Sequence, residues 1–285
     1  MSEMPECTTR QDTPTVTPSF VYYTSEQRAH SAAPTLRQPP RYILVALSGL
    51  VSTMMVEVED QLLAGIWKSD FITCLCWHVE WDHPFLLGML HRGEDLPPVR
   101  PEKWRAPSWS WASVKLPVFN VKMSNPRMSH SILASIVEVK VDATPTGALK
   151  HAYLRLRGSL YTAEYLESDD LPIDGYQTTW LQLLPNTKMR TIVHLDEHSR
   201  FGPDMIRRLH LMPLIVRHCP EEVSITYGLL LEPTGILMGI FKRCGYFVVS
   251  DYVLPDRMFH GTRNAEWIEY ESFNAESGQY TICIL

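Results

Sequence analysis

The sequence predicts an α+β fold in which an N-terminal helical layer packs on a mainly antiparallel β-sheet or partial barrel. Apolar residues recur at intervals of three and four over residues 60–79, which is typical of one face of a helix. Apolar and polar residues alternate along many segments of the second half, which is typical of half-buried strands. The chain has 285 residues, of which 45% are hydrophobic and 20% charged, so it can bury a sizeable core. The predicted divisions are a leader at 1–41 and a single domain at 42–285, with a helical part at 42–92, a loop at 93–104 and a β-rich part at 105–285.

The first segment, residues 1–41, is rich in Ser, Thr and Pro and contains no apolar stretch like the core of a signal peptide. This composition predicts a disordered leader. Residues 42–56 form the longest apolar run, but a membrane span needs about 20 apolar residues. We therefore interpret this run as a buried helix, or as a strand leading into a helix, and not as a membrane anchor.

Charge and cysteine content restrict the partners and the compartment. Lys and Arg number 26 against 32 Asp and Glu, which gives a net charge of -6. Such a charge disfavours nucleic acid and anionic membranes as partners. Six cysteines at irregular positions are too few for a disulfide framework in a chain of this length. We therefore expect a cytoplasmic protein.

A helix is predicted from Asp60, a suitable N-cap, to about Val79. Its apolar face would contain Leu62, Leu63, Ile66, Trp67, Phe71, Leu75 and Val79. The segment that follows is rich in proline and charge, has no periodicity and is expected to be irregular. A second, short helix is predicted at residues 201–211, where Gly202, Pro203 and Asp204 provide a suitable start.

Strands are predicted wherever the alternation has a period of two. In residues 132–141 the alternation changes phase at Val137, which predicts a β-bulge. In residues 153–160, Leu154 and Leu156 would face the core, and a turn at residues 144–147 would join this strand to the previous one. Later strands are predicted at 225–231, 236–241, 246–249 and 280–284, with a turn at 232–235.

Cys74, Cys76 and His78 have the composition of a metal-binding cluster. On the predicted helix, positions two apart diverge by about 200°, so these side chains could not converge on one ion. On a strand they would instead share a face. We therefore predict no metal and no cofactor, an expectation that depends on the helix.

His78 and Asp82 are four residues apart and could pair on a helix as a general acid and base. The alternative is a surface or capping interaction near the end of the helix. We favour this alternative because no nucleophile or second carboxylate stands at a matching spacing. The sequence also lacks a Gly-rich phosphate loop, a dinucleotide fingerprint and a nucleophile elbow, so it contains no readable catalytic motif.

The segment around Trp104, Arg105, Trp109 and Trp111 is the densest aromatic cluster of the sequence. In an extended chain, Trp109 and Trp111 would face one side and the intervening serines the other. The two indoles would then either form a surface for a flat ligand or plug the core between the helical and β-rich parts. We favour the plug, with Arg105 and the serine hydroxyl groups bonded to nearby backbone.

Three segments resemble fungal heterokaryon incompatibility (HET) domain proteins, in the region that follows the HET domain. They are ALSGL at 46–50 with DQLLAGIWKSD at 60–70, WRAPSWSWASV at 104–114, and YLRLRGSL at 153–160. The segments occur in the family in this order, and GLLLEPTG at 228–235 is similar to a C-terminal strand and turn of the family. The string RAPSWSWAS is the most specific of them, and the resemblance covers residues 42–285.

The HET domain itself, which is similar to the Toll/interleukin-receptor fold, has motifs that do not occur in this sequence: Tyr-x-Trp-Gly, Trp-Ile-Asp-x-x-Cys-Ile-Asn-Gln and Arg-x-x-Gln-Val. The resemblance therefore implies a non-enzymatic, truncated protein of self/non-self recognition that lacks the signalling domain. Its implied partners are other proteins of the recognition pathway.

Two other functions stay open. One is an enzyme or small-molecule-binding accessory protein of a fungal secondary-metabolite pathway, with Trp104, Trp109 and Trp111 as an aromatic surface for an unknown ligand. The other is a protein interaction module that uses exposed sheet edges or the proline-rich leader.

Overall fold

The computed structural model describes residues 44, 55, 57, 59–79, 100–116, 118–120, 129–144, 148–166, 178–183, 187–197, 207–218, 224–251 and 268–285. All of them belong to one compact unit, Gln38–Leu285. The predicted leader at residues 1–41 and residue Asp82 lie outside the described residues.

The described chain is mostly strand. Its elements are β1 (Leu62–Leu63), β2 (Ile66–Trp67), α1 (Phe71–Cys74), β3 (Trp77–Val79), a 3-10 helix (Trp111–Ser113), β4 (Val118–Asn120), β5 (Ser129–Ile132), β6 (Ser135–Ala143), β7 (Leu149–Gly158), β8 (Tyr161–Leu166), β9 (Thr178–Leu183), β10 (Thr187–Leu195), β11 (Arg207–His218), β12 (Ser224–Pro233), β13 (Ile240–Asp251), β14 (Ser272–Asn274) and β15 (Gln279–Ile284).

The predicted α+β class, with an N-terminal helical layer, is wrong. Helical backbone occurs at residues 44, 55 and 57, but residues 59–79 contain three short strands and only the four-residue α1. The helix fails at Ala64 and Gly65, whose φ angles of 50° and 91° form a tight turn between β1 and β2. A two-residue turn with positive φ at both positions matches the twist of a hairpin and cannot lie within a helix.

Asp60 closes this hairpin instead of capping a helix. Its carboxylate accepts hydrogen bonds from the Gln61 N–H at 2.7 Å and from the Ser69 hydroxyl at 2.7 Å. The bond to Ser69 joins the two ends of the hairpin. The apolar residues of this segment are therefore distributed over the β1–β2 hairpin, α1 and β3, and do not form one helix face.

Six strands close into a ring, in the order β8, β9, β10, β13, β12, β11 and back to β8. All six pairings are antiparallel. Side chains from five of these strands pack into one apolar core, namely Ala163, Val193, Leu195, Leu209, Leu211, Leu230, Cys244, Phe247 and Val249. Closure leaves the ring without a free edge.

A side sheet continues from the ring. β15 runs parallel to the start of β13, where Ile240 and Phe241 pair with Cys283 and Ile284. β7 pairs with β15, and β6 pairs with β7 as the last strand of the series. The predicted bulge at Val137 is confirmed by a register shift between Ile136 and Glu138.

Two other predicted elements are wrong. The described part of the predicted helix at 201–211 is the beginning of β11, because Leu209 and Leu211 alternate inward in the ring core. The predicted strand at 236–241 begins only at Ile240, and Ile236, Leu237 and Met238 form an exposed turn with Gly235 and Gly239 at positive φ. In the part of the chain that the structure describes, no helix has the length and apolarity needed to cross a membrane.

Candidate functional site

Residues 104–114, which we call the tryptophan hub, fold as a turn followed by a 3-10 helix. Ser110 caps that helix, since its hydroxyl oxygen accepts a hydrogen bond from the Ala112 N–H at 3.1 Å. The Ser110 N–H itself donates to the Pro107 carbonyl at 3.0 Å. The extended conformation assumed from the sequence is therefore wrong, because Ser110 and Pro107 form a turn that an alternating sequence pattern does not show.

The three indoles of the hub have three different environments. Trp109 is fully buried, with its ring centroid 5.5 Å from that of Phe71. Trp111 is partly buried, and its Nε1 donates to the Gly65 carbonyl at 2.7 Å. Trp104 is 52% exposed. A flat ligand on the surface could reach Trp104 but not Trp109.

Gly65 is the residue that lets Trp111 reach the β1–β2 turn. A Cβ at this position would lie 2.8 Å from the Trp111 Nε1, so a side chain would push the indole away. Its φ of 91° is also strained for other residues. The hydrogen bond between the hub and the β1–β2 turn therefore requires a glycine at position 65.

The serines of the hub bond to distant parts of the chain. The Ser110 hydroxyl donates to the Ala64 carbonyl at 2.6 Å. The Ser108 N–H donates to the Leu285 main-chain oxygen at 2.8 Å, and the Ser108 hydroxyl donates to the same oxygen. The Ser108 oxygen also accepts from the Arg243 N–H at 3.0 Å. The hub therefore joins the β1–β2 hairpin, the end of β15 and the ring strand β13.

Arg105 holds the hub together from inside. Its Nε donates to the Ala112 carbonyl and its Nη2 to the Val114 carbonyl. Burial lowers the pKa of this guanidinium. Both contacts satisfy backbone oxygen atoms near the end of the short helix, so the role of Arg105 is structural.

A buried charge cluster lies next to the hub and consists of Arg100, Asp196, Glu197 and Arg243. Asp196 is fully buried, with one carboxylate oxygen 3.3 Å from the Arg243 Nε and 3.2 Å from the Arg100 Nη2. The Arg100 Nε lies 2.8 Å from Glu197, which is 17% exposed. Two cations therefore face two carboxylates, and the cluster has no net formal charge.

Arg243 is fully buried, like Asp196. Its guanidinium donates to the Leu75 carbonyl at 2.8 Å and to the Trp77 carbonyl, and it lies 3.4 Å from the centroid of the Trp77 ring. Burial lowers the pKa of this group, and Asp196 opposes that shift. The Arg243 Nε lies 3.3 Å from one Asp196 oxygen without hydrogen-bond geometry, and the Arg243 Nη2 donates a hydrogen bond to the other Asp196 oxygen at 3.4 Å.

The charge cluster and the hub share two contacts. The Arg100 Nη1 donates to the Ser113 hydroxyl at 2.9 Å, and the Arg243 N–H donates to the Ser108 hydroxyl oxygen at 3.0 Å. The Trp77 Nε1 donates to the Trp109 carbonyl at 2.9 Å. These bonds join β3, the hub and β13 into one polar network beneath buried aromatic rings.

His78 lies in strand β3 and not on a helix. The pairing with Asp82 considered from the sequence lies outside the described residues. The His78 ring centroid is 4.2 Å from that of His194 and 5.5 Å from that of Tyr246, to which it is stacked. Tyr227 stacks on Tyr246 at 6.2 Å. Burial, followed by the nearby His194 and Arg243, lowers the pKa of His78 to about 3.

The depressed pKa of His78 predicts a loss of stability in acid. The unfolded chain binds a proton at His78 below its ordinary pKa of 6.5, whereas the folded chain does so only below about 3. His78 therefore contributes stability that is complete above about pH 6.5 and is lost as the pH falls toward 3. Between about pH 7 and pH 5 the free energy of unfolding should fall by about 2 kcal/mol because of this residue.

Urea unfolding of the parent and of His78→Phe at both pH values measures this effect. The variant should lose less stability between the two pH values than the parent does. Tyr246→Phe provides the matched control, because it alters the same ring stack but keeps the titrating group. Equal losses in the parent and in His78→Phe would show that His78 is not held neutral by the fold.

Tyr246 has a buried hydroxyl without a hydrogen-bond partner among the described residues. Burial raises the pKa of this phenol well above its ordinary value, so it stays protonated. A buried hydroxyl that makes no hydrogen bond is destabilising, at a cost of about 1–3 kcal/mol. Tyr246→Phe is therefore expected to leave the unfolding free energy unchanged or to raise it by about 1 kcal/mol. A clear loss of stability in chemical denaturation would mean that the hydroxyl binds a water or a small molecule.

The cysteines near the hub are structural. Cys74 ends α1, and Cys76 precedes β3 with its side chain fully buried. Burial raises the pKa of the Cys76 thiol far above the neutral range, so it is not a reactive thiolate. Among the described residues, no group of three His, Cys, Asp or Glu side chains is arranged to hold a metal ion.

Comparisons with known proteins add no relative. No protein-family model matches the chain, and no curated protein or solved structure matches it either. The described part of the chain is mostly strand, with a closed six-stranded ring and a buried polar network. The resemblance to heterokaryon incompatibility proteins rests on the residue strings alone.

Proposed function

We propose that this chain is a non-enzymatic protein of the self/non-self recognition class that the heterokaryon incompatibility proteins represent. It acts in the cytoplasm through other proteins of that pathway. The described part supplies a compact body for these contacts, and the polar side chains of its tryptophan hub hold the fold together.

The observation that carries this proposal is the use of the polar side chains in the tryptophan hub, which is also the segment with the strongest resemblance. The hydroxyl groups of Ser108 and Ser110 and the guanidinium of Arg105 all bond to main-chain atoms. A catalytic nucleophile needs a neighbouring base and access to substrate. These groups instead satisfy buried backbone, as structural side chains do.

The buried ionisable groups support the same reading. Arg243 and Asp196 neutralise each other in the interior. Burial raises the pKa of the Cys244 thiol far above the neutral range and that of Cys283 to about 11, so neither thiol is ionised at neutral pH. An aromatic ligand surface is less well supported than a structural hub, because Trp109 is fully buried.

Expression of the full chain in a fungal host tests the proposal. Strains with and without the chain are fused, and heterokaryon viability is measured together with the metabolite profile. We expect the chain to change heterokaryon viability and to leave the metabolites unchanged. New or missing metabolites, with normal heterokaryons, would support the accessory enzyme of secondary metabolism instead.

Hub variants separate recognition from catalysis in the same assay. If the hub is structural, Ser108→Ala and Ser110→Ala should weaken the heterokaryon effect in proportion to the free energy of unfolding that each variant loses. That free energy is measured on the purified proteins. Trp104→Ala, which alters an exposed ring of the same segment, should keep the effect. A stable serine variant without any effect would point to a chemical role for that hydroxyl.

A further inference from the structure

Strand β6 lies at the end of the side sheet. It pairs with β7 on one side and is the last strand in the order of that sheet, and no described strand pairs with its other side. Most of its residues are exposed, including Ile136 and Val137, at 37% and 44%. A free sheet edge presents N–H and C=O groups that can pair with another strand.

The two faces of β6 differ in chemistry. Val139 and Val141 pair with Leu154 and Ala152, which are buried, so both valines lie on the core face. Glu138 and Lys140 lie on the opposite, exposed face of β6. Glu138 forms an ion pair with Arg155 and accepts a hydrogen bond from the Tyr153 hydroxyl at 2.8 Å.

A second copy of the chain could add to this edge by antiparallel pairing of β6 with β6. Residues directly opposite each other must lie on the same face of the sheet. The twofold axis that relates the two copies must therefore place one residue of β6 opposite its own copy, and we name each register by that residue. Beyond the bulge at Val137, the central positions for such an axis are Glu138, Val139 and Lys140.

The charges of β6 distinguish these three registers. An axis through Glu138 places this residue opposite its own copy. An axis through Lys140 places Lys140 opposite its own copy and Glu138 opposite Asp142, so like charges meet throughout. An axis through Val139 places Glu138 opposite Lys140 twice and Val139 opposite its own copy. Opposite charges on facing residues are stabilising and like charges are destabilising.

We propose that two copies of this chain associate through β6, in antiparallel pairing about Val139. In this register the strand is complementary to itself in charge, and Val139 faces Val139 of the second copy. The N–H and C=O groups on the side of β6 that pairs with no described strand would then bond to the other copy, and the two side sheets would become continuous. This inference does not depend on the proposed function.

Sedimentation velocity of the full chain over a concentration series tests the proposal. We expect a reversible dimer whose population rises with concentration. Lys140→Glu places a glutamate opposite Glu138 at both positions and should weaken the dimer by roughly tenfold or more. Lys115→Glu makes the same change of charge at an exposed residue outside the strands and should leave the dimer unchanged.

Mixing two variants identifies the register. Glu138→Lys places a lysine opposite Lys140 and should also weaken the dimer. An equal mixture of Lys140→Glu and Glu138→Lys restores opposite charges at both positions, so a heterodimer should form from two weakly associating variants. Glu138→Lys also removes the ion pair with Arg155 and could unfold the protein. In that case the dimer strength of Lys140→Glu tests the proposal, since the ion pair that Lys140 forms among the described residues is a long one, 3.9 Å to Asp142. A monomeric parent at every concentration, or a Lys140→Glu dimer as strong as the parent's, overturns the proposal.

Discussion

Replacing Trp109 with alanine is expected to lower the free energy of unfolding by about 3–5 kcal/mol. The indole is fully buried against Phe71, so its removal leaves a cavity at the centre of the hub. The backbone carbonyl of residue 109 would still accept the Trp77 Nε1 hydrogen bond at 2.9 Å. The measured loss would therefore belong to the indole and not to the polar network. Urea unfolding followed by fluorescence or circular dichroism gives this value.

Trp104→Ala is the matched control, because it removes the same side chain from the same segment at a position that is 52% exposed. We expect it to change the unfolding free energy by less than about 0.5 kcal/mol. Trp109→Phe should cost less than Trp109→Ala, because the Trp109 Nε1 has no hydrogen-bond partner among the described residues. Equal stabilities of Trp109→Ala and Trp104→Ala would contradict the structural role of the hub.

The β-rich part was predictable because its strands alternate regularly. In β7, Leu154 and Leu156 are fully buried, as the alternation predicts. β11 was missed because its start is preceded by apolar residues at helical spacing. A proline is unfavourable inside a strand, and Pro213 of β11 lies where the pairing with β12 shifts register, between Pro213 and Ile215.

The partners of the hub could not be predicted, because they lie far away in the sequence. Ser108 bonds to Leu285, 177 residues further on, and Ser110 bonds to Ala64, 46 residues earlier. The density of tryptophan and serine marked this segment as unusual, but periodicity carries no information about contacts at such separations. Of these partners, the Ala64–Gly65 turn could have been recognised from its own sequence, because Gly65 stands between the apolar pairs Leu62–Leu63 and Ile66–Trp67.

Arg243 and Asp196 were also missed, although a signal for Arg243 exists. Arg243 stands in an apolar strand, between Phe241 and the run from Cys244 to Val249. A charged residue among buried positions of a strand needs a buried partner. The identity of that partner, Asp196 at the end of β10, follows only from the pairing of β10 with β13.

Asp196→Asn is expected to lower the free energy of unfolding by about 3–5 kcal/mol. The substitution keeps the size of the side chain but leaves the buried Arg243 guanidinium without its counter-charge. Arg100 would also lose its ion pair at 3.2 Å, and Glu197 would be its one remaining carboxylate partner among the described residues. Glu197→Gln makes the same chemical change at a residue that is partly exposed, and its expected cost is below about 1 kcal/mol.

The double variant Arg243→Met/Asp196→Asn distinguishes loss of the charge pair from loss of packing. If the penalty of Asp196→Asn comes from an uncompensated buried cation, then removing that cation as well should recover part of the stability, and the double variant should be less destabilised than the sum of the two single variants. Additive losses would mean that the two side chains stabilise the fold independently. Arg243 would then stabilise the fold through its hydrogen bonds to the Leu75 and Trp77 carbonyls, because those bonds do not require Asp196.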